Sequence, residues 1–307
     1  MANDNAPRLE PRLFHPRYWA SWLGLGTLWL LTLLPWRSQM WLGCQLGHLA
    51  TKVLASRVKI ARRNLELAMP ELSVAERELL LTRNFESVGC AIFEVGIAWF
   101  WPDWRVRNLM KVEGEEHVRA AIVKGQGMLL LSCHFLTLEL NARCFGLVCP
   151  GVGVYRPNTN PVLEYAQYHG RCMSNKYLVN RNDVKGMIKA LRQGDALWYA
   201  PDHDYGARAS VFVPYFAVAQ AATVTGTATL ARVKNTVTLP CYNIRTKEGY
   251  TLHIGAPLAN YPQGDDVLDA TRANQEIEAA VRKAPEQYMW LHRRFKTRPS
   301  PEDASVY

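Results

Sequence analysis

The sequence predicts a layered α/β domain behind an N-terminal membrane-anchoring helix. Apolar residues make up 49% of the 307 residues, enough to bury a sizeable core. Short apolar runs alternate with helical patterns from Gly114 to Lys283, as strands and helices do in α/β proteins. The chain also opens with a long uncharged segment that precedes this alternation.

That segment runs from Tyr18 to Pro35 without a charged residue. Its 18 residues are at the short end of what spans a bilayer. Trp19, Trp22, Trp29, Trp36 and Trp41, half of the chain's ten tryptophans, cluster around it. Tryptophan favours the headgroup boundary, where its ring is buried and its N–H stays wet. No small-residue cleavage site follows, so the segment reads as an uncleaved anchor. It either spans once or lies in the interface; a buried core helix is the competing reading. The expected organisation is a basic segment and anchor over 1–36 and one α/β domain over 37–307.

The remaining elements follow in order. An apolar-rich helix is expected from about Ser38 to Ala55. Ser73-Val-Ala-Glu76 is a capping box opening a helix over Val74–Phe100, with Phe85, Val88, Ile92, Val95 and Trp99 as its core-facing stripe. Met128–Cys133 reads as a buried strand, Thr137–Gly146 as a helix, and Gly153–Arg156 as a short strand. Pro161 starts a helix reaching Cys172, and Asp183 caps another ending at Arg192. Strands are expected at Ala196–Ala200, Thr236–Tyr242 and Tyr250–Ile254, and a last helix at Asp269–Lys283.

Lys and Arg outnumber Asp and Glu by 36 to 27. Residues 1–63 hold nine basic side chains against Asp4 and Glu10, a net +7 flanking the apolar segment. Such a field suits anionic phospholipid better than nucleic acid. The seven cysteines contain no Cys-x-x-Cys, which argues against a disulfide framework and for a reduced, cytoplasm-facing body.

His134 follows the apolar strand and Glu139 lies five residues on. On a continuous helix that spacing separates two side chains by about 140°. They meet only if His134 sits on a strand-to-helix turn. There a carboxylate can hold one imidazole nitrogen and leave the other as a base. The alternative is a histidine bonded to local backbone.

His134-Phe-Leu-Thr-Leu-Glu139 resembles the His-x4-Asp/Glu signature of the glycerolipid and lipid A acyltransferases. Further blocks bring the chain closer to the bacterial late acyltransferases of lipid A, and within them to the branch that places lauroyl on Kdo2-lipid IVA. These blocks are His15-Pro-Arg-Tyr-Trp19, Asn84-Phe-Glu-Ser-Val-Gly89, Gly153-Val-Tyr-Arg-Pro-Asn158, Lys185-Gly-Met-Ile-Lys-Ala190, Trp198-Tyr-Ala-Pro-Asp-His-Asp-Tyr-Gly206, Ser210-Val-Phe-Val-Pro214 and Glu286–Arg298. The resemblance implies the layered acyltransferase fold, a mixed sheet flanked by helices, at the inner membrane with its catalytic face towards the cytoplasm. It implies transfer of a fatty acyl group from acyl carrier protein to a hydroxyl of a 3-hydroxyacyl chain on Kdo2-lipid IVA. His134 would be the base and Glu139 would orient it.

The same resemblance makes Arg156 and Arg171 candidates for substrate phosphate, which guanidinium suits through paired hydrogen bonds. It makes Asp202 part of the active-site wall, facing an arginine or the substrate sugar. A thiol leaves readily, so neither metal nor cofactor is expected. Pro201-Asp202-His203-Asp204 crowds possible ligands, but neighbours on an extended chain point to opposite faces. A lysophosphatidate-type acyltransferase and a non-catalytic membrane-surface binding protein stand as alternatives.

Overall fold

The computed structural model describes residues 6–300 and 302–307; Asp4 and the start of the basic N-terminal segment lie outside them. Four helices come first: α1 (Trp19–Leu31), α2 (Trp36–Val53), α3 (Ala55–Ala68) and α4 (Val74–Phe100). The capping box at Ser73 forms as expected, with Glu76 accepting from the Ser73 backbone N–H at 2.7 Å. A short α5 (Asp103–Arg107) then leads into β1 (Met110–Glu113) and α6 (Glu115–Val123). The central run is β2 (Gly127–Leu131), α7 (Leu138–Val148), β3 (Val152–Tyr155), α8 (Pro161–Arg171), β4 (Tyr177–Asn180), α9 (Val184–Arg192) and β5 (Ala196–Tyr199). A hairpin of β6 (Ser210–Tyr215) and β7 (Val218–Val224) follows, then α10 (Gly226–Ala231), β8 (Thr236–Arg245), β9 (Tyr250–Ile254) and α11 (Asp266–Val281).

Seven strands form one mixed sheet in the order β1-β9-β8-β2-β5-β3-β4. β2 lies at its centre, parallel to both β8 and β5, and β3 is parallel to β5 and β4. Only the β8–β9 pair is antiparallel within this sheet. All five residues of β2 are buried, which is why it is a continuous apolar run rather than an alternating one. Its side chains alternate between two cores. Leu130 packs with Ile97, Leu140 and Phe145 beneath α4 and α7. Leu129 packs with Met187, Leu191 and Leu230 beneath α9 and α10. Helices thus cover both faces, and the layered α/β expectation holds.

The anchor expectation needs correction. α1 has 13 residues, roughly 20 Å of helix against a hydrocarbon core of about 30 Å. Among the described residues, no helix is long and apolar enough to cross a membrane. The apolar run is broken after Leu31 by a turn into Pro35, which starts α2. α1 instead rests on the protein. Ser21 Oγ accepts from Asn160 Nδ2 at 2.8 Å, and Leu28 and Thr32 lie over Gly96 of α4. Its outer side carries Trp19, Leu23 and Leu30 exposed, 48–73% together with Trp29.

The stripe expected along α4 is also shifted. Phe85, Phe93 and Ile97 are fully buried, whereas Ile92 is 49% exposed. α4 buries more than one side because α2 packs on it along Gly43, Gly47 and Gly89. A Cβ on Gly89 would stand 1.9 Å from the Gly43 carbonyl oxygen. The small residues let the two backbones touch.

Candidate active site

The carboxyl ends of parallel strands bring their following loops to one edge of the sheet, the usual place for a site in such folds. Here His134 follows β2, Arg156 follows β3 and Asp202 follows β5. His134 sits on a strand-to-helix turn, as expected. Ser132 continues the sheet by donating its N–H to Tyr199 O at 2.9 Å, Phe135 N–H turns back to Cys133 O, and α7 starts at Leu138. A distant segment clamps this turn from outside. Leu136 N–H donates to Gln287 O at 2.7 Å, and Met289 N–H to His134 O at 3.0 Å.

The carboxylate on His134 is that of Asp202. Its Oδ1 lies 2.6 Å from His134 Nδ1, and its Oδ2 accepts from the His134 backbone N–H at 2.9 Å. Tyr288 Oη also donates to Oδ2, at 2.8 Å. Burial by itself would raise the Asp202 carboxyl. The charge and hydrogen bond of His134, with the nearby His203, outweigh it and hold the group well below the usual carboxylate range. An ionised acceptor makes Nδ1 the donor, so the neutral imidazole carries its lone pair on Nε2. Nε2 has no partner among the described residues.

Glu139 is therefore not the residue that holds His134, contrary to the expectation. It lies in the first turn of α7 and faces α8 and α4. Its carboxylate accepts from Arg171 Nε at 3.0 and 3.1 Å, from Arg171 Nη2 at 2.5 Å, and from Trp99 Nε1 at 2.9 Å. Burial raises this carboxyl too, but the Arg171 charge beside it leaves a net lowering. The bend brought Glu139 near the site without turning it towards the imidazole, whose Nδ1 was already taken.

Asp202, expected to meet substrate or an arginine, is fully buried with both oxygens engaged inside the protein. Arg171 is committed to Glu139 through Nε and Nη2, leaving Nη1 unengaged among the described residues. Arg156 is exposed at the end of β3, with no hydrogen bond or ion pair to any described residue. Tyr288, which closes the Asp202 carboxylate, escaped the sequence reading. Its position inside the Glu286–Arg298 block was the available signal.

An apolar cleft opens beside these groups, between α7, β3 and β5. Leu138, Ala142, Phe145, Val152, Leu178 and Trp198 line it, and Arg171 supplies the charge in its wall. The Trp198 ring meets the His134 ring edge-on, with centroids 6.4 Å apart. Trp198 is thus common to the cleft wall and the surroundings of the imidazole.

A histidine held by a buried carboxylate, with its other nitrogen open and an apolar cleft nearby, can serve as a base in an enzyme. Known proteins narrow the class of enzyme. The family model for bacterial lipid A biosynthesis acyltransferases matches residues 6–297. The lipid A biosynthesis lauroyltransferase of Escherichia coli K12 is 51% identical over 96% of this chain and 97% of its own. The palmitoleoyltransferase of lipid A biosynthesis from the same strain is 44% identical over 98% of both chains. The corresponding myristoyltransferase is 27% identical over 98% of this chain and 94% of its own. The chain belongs to the bacterial lipid A biosynthesis acyltransferase family and is an acyltransferase.

Proposed function

We propose that this enzyme moves a fatty acyl group, lauroyl, from the thioester of acyl carrier protein to the hydroxyl of a 3-hydroxyacyl chain on Kdo2-lipid IVA. The observation that carries the mechanism is the buried Asp202 carboxylate on His134 Nδ1, which leaves Nε2 basic. Nε2 takes the proton of the acceptor hydroxyl as the oxygen attacks the thioester carbon. The C–O bond forms, the C–S bond breaks, and the departing sulfur takes the proton back from the imidazolium. Asp202 stabilises that imidazolium and fixes the ring. The apolar cleft holds the acyl chain. Arg171 presents Nη1 to the substrate while Glu139 holds its other edge, and Arg156 meets an anionic group of the acceptor. The donor preference for lauroyl follows the 51% identity to a lauroyltransferase.

The lipid acceptor and the exposed apolar side of α1 support an interfacial seat at the inner membrane. Trp19, Leu23, Trp29, Leu30 and Leu33 would enter the bilayer surface, with Arg12, Arg17 and Arg37 on anionic headgroups. Residues 1–36 then serve as the membrane-facing element of a catalytic domain over 37–307.

The test supplies lauroyl-acyl carrier protein with Kdo2-lipid IVA or with lysophosphatidic acid and reads the lipids by mass spectrometry. Kdo2-lipid IVA should gain one lauroyl chain. His134→Ala should abolish the gain, and Asp202→Asn should slow it about a thousandfold, because an amide cannot hold the same tautomer. Full activity of purified His134→Ala would end the mechanism, and acylation of lysophosphatidic acid alone would end the substrate assignment.

A further inference from the structure

His134 is one of three imidazoles laid face to face. Its ring centroid lies 3.5 Å from that of His203, with the planes at 11°. His203 lies 4.0 Å from His292, again at 11°. The three come from different parts of the chain: the turn after β2, the loop after β5, and the segment after α11. The two rings that join His134 are each tethered next to a clamp of the site. His203 follows Asp202 directly, and His292 lies three residues beyond Met289, which bonds the His134 carbonyl.

His203, in the middle of the stack, and His292, at its far end, are neutral fillers with a cost. His203 Nε2 and His292 Nδ1 are buried without hydrogen-bond partners among the described residues. Desolvation, the neighbouring His134 and His292, and Arg294 push His203 down to about 3, against the attraction of Asp202. Desolvation with Lys296 and His134 lowers His292, against Asp202 and Asp204. Unsatisfied buried nitrogens weaken a core, so packing alone does not account for imidazoles here. A neutral aromatic face, however, attracts a cation lying over it, and His134 becomes a cation in the transfer step.

We infer that His203, backed by His292, is a positioning residue for His134: its ring face fixes the plane in which Nε2 meets the acceptor hydroxyl and attracts the imidazolium that forms. This rests on His134 being the base proposed above. A charged ring in the middle of the stack would repel that imidazolium, so the neutrality of His203 belongs to the arrangement.

Three substitutions separate ring face from volume and from titration. His203→Phe keeps a face and loses the nitrogens, His203→Leu fills the space without a face, and His203→Ala empties it. Steady-state acyl transfer is measured for each, beside His134→Ala, with thermal melting as the check on folding. His203→Leu and His203→Ala should each lose about tenfold or more in kcat with KM for either substrate within about twofold, and His203→Phe should stay within about threefold of the parent. Equal kcat in the Leu and Phe variants overturns the inference, whether both are fast or both slow. If His203→Ala fails to fold, the Leu and Phe pair still decides. An active His134→Ala would instead overturn the base assignment, so the two failures are told apart.

Discussion

At the scale of single residues, the site contains two carboxylates with different tasks. Asp202 holds the imidazole, and Glu139 holds Arg171 in the wall of the apolar cleft. A buried guanidinium left without its counter-charge costs several kcal/mol, whereas replacing both partners by apolar groups is often close to neutral. Glu139→Gln should therefore lower stability by about 3 kcal/mol. The double variant Glu139→Gln, Arg171→Met should recover most of it. Denaturant unfolding of the three proteins measures this; a Glu139→Gln protein as stable as the parent contradicts the strut role. The strand-to-helix turn that carries His134 was legible in the sequence, because an apolar strand followed by a polar residue at a bend is a local pattern. The partner was misassigned because Asp202 is 68 residues away, and only the pairing of β2 with β5 brings the two loops together.

At the scale of elements, local signals set most boundaries. The Ser73 capping box started α4 where expected, and Asp183 accepts from Gly186 N–H at 2.9 Å to cap α9. The β6–β7 hairpin was not read as strands, since Ser210–Tyr215 shows intermediate burial without clean alternation. The stripe on α4 was misplaced because a single-face pattern assumes one partner, and α4 has α2 on one side and α7 and α8 on another. That crossing depends on glycine. A Cβ at Gly89 meets backbone, which cannot rotate away: the Gly43 carbonyl oxygen at 1.9 Å and the Gly47 nitrogen at 2.5 Å. Gly89→Val should cost at least about 2 kcal/mol, roughly 4–8 °C in Tm for a domain of this size. An unchanged melting temperature would show that the two helices can part without loss.

At the scale of the whole molecule, desolvation of imidazoles makes the fold acid-sensitive above the carboxylate range. His203 sits at about 3, and His292 and His253 are also lowered from their ordinary value near 6.5. In each case the unfolded chain binds the proton first. Stability is therefore full above pH 6.5 and falls as pH drops towards each folded-state value, by up to about 1.4 kcal/mol per pH unit for each group. Asp202 and Glu139, depressed rather than raised, add their own loss only once pH falls below their unfolded values near 4. Urea midpoints should drop between pH 6.5 and 5. A His203→Phe, His292→Phe protein should show a flatter profile over that range; an identical slope would remove these two rings as its cause.

The clamp on His134 also has a meaning in time. The imidazole leaves the ribosome early, but Asp202 follows after 68 more residues, and Tyr288 and Met289, which close the carboxylate and the turn, come later still. A nascent chain that has folded β2 and α7 holds a histidine with no oriented proton acceptor. On the proposed mechanism the oriented base therefore arrives in one step, when the segment after α11 docks, and an unfinished polypeptide has none to offer.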